Sequence, residues 1–332
     1  MEPKAFRTLV DFPRYPYRIE HHEPLLLLGS CFAENIGQEL AARKFASLSN
    51  PLGTLFNPFS VASALERLLD RRLPEASELV PHEDLWFHYD FHGDFSALSP
   101  GQALAGIGQG VERGADFLGR ARHLFLTWGT SWVYELASTG QVVSNCHKQP
   151  SALFRRRRLE VDEVVARYEP LLARLRERLP GLRVLLTVSP VRHLKDGAHG
   201  NQLSKSVLLL AADRLAERCP GVAYFPSYEV LLDELRNYGF YKKDMVRPNA
   251  LAVEYLWELL AEHLLSEKAR ATAEEMERMA RAVAHRPIRV ASREHQRFVL
   301  RQLEVLEGIR KKYPYVDLDS EEKCLLEQRV AP

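Results

Sequence analysis

With 332 residues, 46% hydrophobic and 27% charged, the chain suits one large domain or a domain with an appendage, and it is too apolar to be a disordered polymer. A formal net charge of +1 provides no overall field for nucleic acid or an acidic membrane, so neither is expected as a partner. The opening residues hold no apolar run of signal-peptide length, and no stretch reaches the ~20 apolar residues that span a bilayer.

Cys31, Cys146, Cys219 and Cys324 lack CxxC spacing, which argues against a disulfide scaffold or a structural zinc site. A cytoplasmic, thiol-reduced protein is the expectation.

Residues 1–24, rich in Pro, Tyr and His, predict an irregular lead-in. The apolar run 25–28 ends at Gly29-Ser30, and Phe32, Ile36 and Leu40 follow at helical spacing: strand, tight turn, helix. The pattern recurs at residues 123–128 before Gly129-Thr130-Ser131, at 184–188 before Ser189-Pro190, and at 222–225 before Pro226-Ser227. An amphipathic helix with Val164, Val165, Tyr168, Leu171, Leu172 and Leu175 on one face precedes the third of these strands. Residues 204–217 predict the helix before the fourth.

Strands alternating with helices predict an α/β fold, a parallel sheet covered on both faces. The ligand crevice of such a sheet lies beyond the carboxyl ends of its strands. Ser30, Gly129-Thr130, Ser189 with nearby His193, and Ser227-Tyr228 would form its polar rim.

Four consecutive arginines at 155–158 read as a solvated loop before a helix, or else as an anion-binding rim. His82, His88 and His92 alternate with Glu83, Asp84, Asp90 and Asp94 but match no standard metal spacing, so a polar loop is expected there. No phosphate loop or dinucleotide fingerprint occurs, and no metal or cofactor is expected. After Pro248-Asn249 a helix runs to about Leu265, and residues 266–285 and 291–312 predict two more, broken at His285-Arg286-Pro287. Residues 1–265 therefore read as the α/β domain and 266–332 as a helical appendage packed on it. This tail is a candidate homo-oligomer interface or lid.

A serine at a strand-to-helix turn is presented at the sheet's open end, beside the unpaired N–H groups of the helix. Those donors can stabilise the oxyanion formed when an acyl carbonyl is attacked. The same geometry also describes a plain helix N-cap.

The string Leu28-Gly29-Ser30-Cys31-Phe32-Ala33-Glu34-Asn35-Ile36-Gly37 resembles the motif that names the GSCFA family. Further segments are similar to that family in order along the chain: Asn50-Pro51-Leu52-Gly53, Thr127-Trp128-Gly129-Thr130, Asn145-Cys146-His147-Lys148, Thr187-Val188-Ser189-Pro190-Val191-Arg192-His193 and Tyr224-Phe225-Pro226-Ser227-Tyr228-Glu229. The family resembles the SGNH hydrolases, esterases on a three-layer α/β/α sandwich of flavodoxin-like type. The resemblance implies a Ser30 nucleophile forming an acyl-enzyme with a small ester, such as an O-acyl sugar, or an acyl transferase built the same way. It also implies oxyanion donation from Gly53 and from Gly129. Ser131 stands where those hydrolases keep an Asn, with Asn145 the nearest replacement donor.

Asp244-Met245-Val246-Arg247 aligns with the late Asp-x-x-His of the hydrolases, with arginine in the base position. A guanidinium has no acceptor and cannot take the serine proton. His193, or else His147, is the candidate base. Asp244 would orient a histidine or pair with Arg247 three residues on, and Arg247 could bind a substrate carboxylate or phosphate. The alternative function is a catalytically disabled fold that binds a ligand or partner. Cys31, at the same helix N-terminus where a thiol pKa would be lowered, reads as a second candidate nucleophile of a Cys-His hydrolase or else as a cysteine packed under the helix.

Overall fold

The computed structural model describes residues 8–329, so the first seven residues of the expected lead-in and the last three of the tail lie outside it. The strands are β1 (Leu25–Gly29), β2 (Ser47–Ser49), β3 (Val80–His82), β4 (Leu85–Phe87), β5 (His123–Trp128), β6 (Trp132–Leu136), β7 (Val142–Val143), β8 (Phe154–Arg158), β9 (Arg183–Val188) and β10 (Val222–Phe225). The helices are α1 (Cys31–Ala42), α2 (Pro58–Leu69), α3 (Pro100–Arg120), α4 (Val161–Arg178), α5 (Gly197–Arg218), α6 (Ser227–Glu229), α7 (Ala250–Leu264), α8 (Glu267–Ala284), α9 (Arg293–Lys312) and α10 (Asp319–Glu327).

Five strands form one parallel sheet in the order β10-β9-β5-β1-β2. Counted along the chain this is 2-1-3-4-5, the flavodoxin-like order, whose topological switch point lies between the first and third strands. Here that point is the gap between the carboxyl ends of β1 and β5. Alternation along β1 sorts its side chains into two layers. Leu26 and Leu28 join the core under α2, α3, α4 and α5, whereas Leu25 and Leu27 join the core under α1 and α7. The protein is a three-layer α/β/α sandwich. Within it the Trp128 indole donates to the Tyr168 hydroxyl at 3.0 Å, and that hydroxyl donates to the Pro58 carbonyl at 2.8 Å. These bonds tie β5, α4 and α2 together without leaving a buried polar atom unpaired.

Two small antiparallel units decorate the sandwich: the β3–β4 hairpin and the sheet β7-β6-β8. The second corrects the reading of the arginine run, because residues 155–158 lie in β8 and pair with β6. Their charges are matched across the fold. Arg155 and Arg157 reach Glu135 at 2.7 and 2.6 Å, Arg157 also reaches Glu163, and Arg156 forms a two-pronged pair with Asp196. An anion-binding rim would need those guanidinium groups free, and three of the four are engaged.

The tail's α8, α9 and α10 close around their own cluster, with Met276, Met279, Val299, Leu306, Ile309 and Leu325 buried. Ala269 and Ala273 at the start of α8 belong to the sandwich core. No helix among the described residues is long and apolar enough to cross a membrane.

Gly29 has φ +132°, and a Cβ there would stand 2.0 Å from the Thr127 carbonyl oxygen, so only glycine lets β1 turn against β5. Gly29→Ala is expected to lower unfolding free energy by at least ~2 kcal/mol. Gly106→Ala, in the open middle of α3, should raise it by about 0.5–1 kcal/mol. Urea denaturation of the two variants measures both.

Candidate functional site

Ser30 leaves the end of β1 and caps α1. Its Oγ accepts from the Phe32 N–H at 3.2 Å, the only hydrogen bond of this hydroxyl among the described residues, and its own N–H donates to the Thr127 carbonyl at 3.1 Å. The residue thus sits at the switch point of the sheet, on a helix N-terminus. It is closed over, at 1% exposure. The cover is the segment 50–57: the Leu55 N–H donates to the Gly29 carbonyl, and the Phe56 carbonyl accepts from the N–H groups of Gly129 and Thr130 at 2.7 and 3.0 Å.

Those bonds bear on the oxyanion donors expected from the sequence. The Gly129 N–H is engaged by Phe56, and the Gly53 N–H closes a turn onto the Asn50 carbonyl at 2.8 Å, so neither points free into the crevice. Gly53 is required for another reason: its φ is +85°, and a Cβ would stand 2.2 Å from the Cβ of His92. Asn145 caps its own loop, its Oδ1 accepting from the His147 N–H at 2.8 Å.

Asn50 supplies a free donor that the sequence reading passed over. Its Oδ1 accepts from the Gly29 N–H at 2.9 Å, which fixes the amide orientation. Its Nδ2 is then a buried donor without a partner, on a side chain anchored to the residue before the serine. A buried unsatisfied donor costs about 1–3 kcal/mol and calls for an explanation such as a ligand atom. Sequence offered a faint signal, an Asn opening a glycine turn, but not its long-range partner.

His193 follows β9, and its ring lies edge-on to Phe56 with centroids 6.4 Å apart. The ring makes no hydrogen bond to Ser30. Burial, with the nearby Lys205 ammonium second, pulls its pKa to about 4, so at neutral pH it is an uncharged imidazole with an acceptor nitrogen. His147 lies elsewhere. It stacks on Phe87 at 4.1 Å and its Nε2 meets the His88 carbonyl, on the small hairpin rather than at Ser30. Burial likewise lowers its pKa to about 4.

Asp244 and Arg247 form an exposed pair at 2.5 Å. The backbone N–H groups of Arg247 and Val246, then the guanidinium, hold the Asp244 carboxyl down to about 2. Asp244 therefore orients no histidine here. The same loop flanks a cavity of about 220 Å³ lined by Arg192, Leu235, Tyr238, Tyr241 and Met245. The Cys31 thiol is a correction: burial raises its pKa, outweighing the pull of Arg247 and Lys242.

The least expected group is Lys205 of α5. It is 1% exposed, and its Nζ donates to the carbonyls of Gly129 at 2.7 Å and Ser189 at 2.6 Å, bridging the ends of β5 and β9. The ammonium also lies 5.3 Å from the Tyr228 ring centroid. No carboxylate pairs with it among the described residues. Burial lowers its pKa to about 7. The adjacent Ser204 hydroxyl accepts from the Ser131 N–H and contacts the Thr130 hydroxyl. Ser131, the residue after Gly129-Thr130, is thus tied to α5. His82, His88 and His92 lie on or beside the β3–β4 hairpin, and no metal-holding cluster occurs among the described residues.

A family model described as the GSCFA family matches residues 24–259, and one described as the GSCFA domain protein, C-terminal domain, matches residues 276–330. The search of curated proteins finds no match.

Lys205 makes stability depend on pH. A lysine whose folded pKa lies below its unfolded value binds fewer protons folded than unfolded, so stability rises with pH above about 7. Between pH 7 and 8.5 the difference in unfolding free energy between wild type and Lys205→Met should shift in favour of wild type, approaching roughly 1.4 kcal/mol per pH unit. A flat difference, measured by urea denaturation, would contradict this account.

Proposed function

The chain belongs to the GSCFA family, and from that premise we propose that it is a serine-dependent ester hydrolase or acyl transferase of SGNH-like type acting on small esters through Ser30. The observation that carries the reading is the juxtaposition of the Ser30 hydroxyl, the α1 N-terminus and the unpartnered Asn50 amide at the switch point of the sheet.

Ser30 Oγ attacks the ester carbonyl, and the new oxyanion takes the Asn50 Nδ2–H and helix N–H donors. The neutral His193 ring, once brought to Ser30, takes the serine proton and returns it to the departing alcohol as the C–O bond breaks. Water or an acceptor alcohol then releases the acyl group by the same route. Access to Ser30 requires segment 51–57 to lift while Asn50 stays bonded to Gly29, which suits a small substrate.

A second reading is favoured by one observation, the Arg247–Asp244 pair in place of the base. In it the fold is catalytically silent and binds a ligand or partner through the same crevice.

Three variants separate the readings, assayed as kcat/KM on short-chain nitrophenyl esters. Ser30→Ala should abolish turnover. Asn50→Asp keeps the acceptor for Gly29 while removing the free donor, and should cost about 10²–10³-fold. Arg247→His should leave the rate unchanged if His193 is the base, and a gain of about 10²-fold or more would instead mark a site that has lost its base. Equal rates for wild type and Ser30→Ala would leave the binding reading in place. Turnover should persist down to about pH 5, because His193 protonates only near pH 4.

A further inference from the structure

Many exposed charges are paired within the chain, and among those that are not, two stripes complement each other. Along α7, Glu254, Glu258 and Glu262 recur every four residues, all exposed, and that helix contains no lysine or arginine. Along α9, Arg293, Arg297 and Arg301 recur at the same spacing, also exposed. None of the six takes part in an ion pair among the described residues. Arginines nearby behave differently: Arg310 engages Glu307, Asp319 and Glu322, and Arg281 engages Glu277. Like charges every four residues disfavour a helix by a few tenths of a kcal/mol per pair. Opposite stripes at one ~6 Å repeat relieve this repulsion when they meet.

Each stripe also has apolar surface beside it. The acidic stripe borders a groove of about 400 Å³ between α7 and α8, with Trp257, Ala261, Leu265 and Ala273 along it and Glu274 on its far side. Arg43, Arg270 and Arg281 line it too, with Arg43 and Arg281 held by Glu39 and Glu277. The basic stripe adjoins the loop before α9, where Ile288 is fully exposed between Arg286 and Arg289. Residues 285–303 carry five arginines against one acid, Glu294.

We infer that a second copy of this chain is the occupant of the α7–α8 groove, received through its α9 arginine stripe and Ile288 loop. Under a twofold axis each copy would give one basic edge and one acidic groove, closing a dimer with two such contacts. Contacts of this charged kind weaken with salt. The inference is independent of any chemistry at Ser30.

Sedimentation velocity of the full chain at 1–100 µM tests it. The expected result is twice the 38.0 kDa chain mass in 50 mM salt, with at least tenfold weaker association in 500 mM salt. The triple variants R293E/R297E/R301E and E254R/E258R/E262R should each be monomeric, and an equimolar mixture of the two should restore the dimer, since every contact again joins opposite charges. Ile288→Asp should weaken it with all six stripe charges retained. Circular dichroism and melting confirm folding of each variant. A wild-type monomer at 100 µM in low salt, a dimer indifferent to both reversals, or a monomer that sediments with phosphatidylglycerol vesicles would overturn the proposal. The last outcome would assign the basic edge to an anionic lipid surface.

Discussion

The close approach of Gly29 to the Thr127 carbonyl is the constraint from which the crevice follows. β1 and β5 stay in register to the last pair, Gly29 with Thr127, and the chain then turns where a side chain would collide. The turn places Ser30 on the switch point and lets its N–H use the same carbonyl. It also exposes the Gly29 N–H and carbonyl to segment 50–57, which takes both: Asn50 Oδ1 accepts the first, and the Leu55 N–H meets the second. One missing Cβ thus decides where the serine stands, what covers it, and which amide is left with a spare donor.

Much of this was legible in the sequence, because the central strands of a parallel sheet are buried on both faces and read as unbroken apolar runs. β1, β5 and β9 are such runs. β2, Ser47–Ser49, was not legible: it is a short, half-buried edge strand with little apolar signal. β8 was hidden by its arginines, whose neutralising partners Glu135, Glu163 and Asp196 lie far off in sequence. α3 was masked by six glycines in 21 residues, which dilute both helix propensity and periodicity. Two of them have packing reasons. A Cβ at Gly110 would reach 2.8 Å from the Pro51 carbonyl, and one at Gly114 would reach 2.7 Å from Leu68.

In the site, what was local could be read and what was distant could not. The Ser30 cap and the Asp244–Arg247 pair span two or three residues, so their spacing alone suggests them. The Asn50 donor is defined by a partner 21 residues away, and the Lys205 bridge by carbonyls 76 and 16 residues away. Helical periodicity puts Lys205 among the buried positions of α5, but only the splayed ends of β5 and β9 explain why a cation is tolerated there. Two carbonyl acceptors and an aromatic face offset part of its desolvation, and the rest emerges as the lowered pKa. The Cys31 reading failed for the same physical reason. A helix N-terminus favours a thiolate, yet burial under packed side chains disfavours it more.

A net charge near zero describes a sum, whereas interactions depend on pattern. The near balance of this chain conceals an acidic edge on α7 and a basic edge on α9, separated by the whole of α8. The helix that carries the acidic edge also holds the loop of Asp244 and Arg247. α7 starts at Asn249, whose Oδ1 caps the helix at Ala252 and whose Nδ2 donates to the Gly239 carbonyl at 2.6 Å. Those bonds, with the bridge between Tyr241 and Pro248, fix the loop that carries Asp244 and Arg247. One helix therefore bears the unpaired glutamates along its exposed side and, at its first turn, anchors the loop that carries the Asp244–Arg247 pair. Whatever occupies the exposed side bears on the same element that sets that loop, and this gives a physical route by which association and the crevice share one structural support.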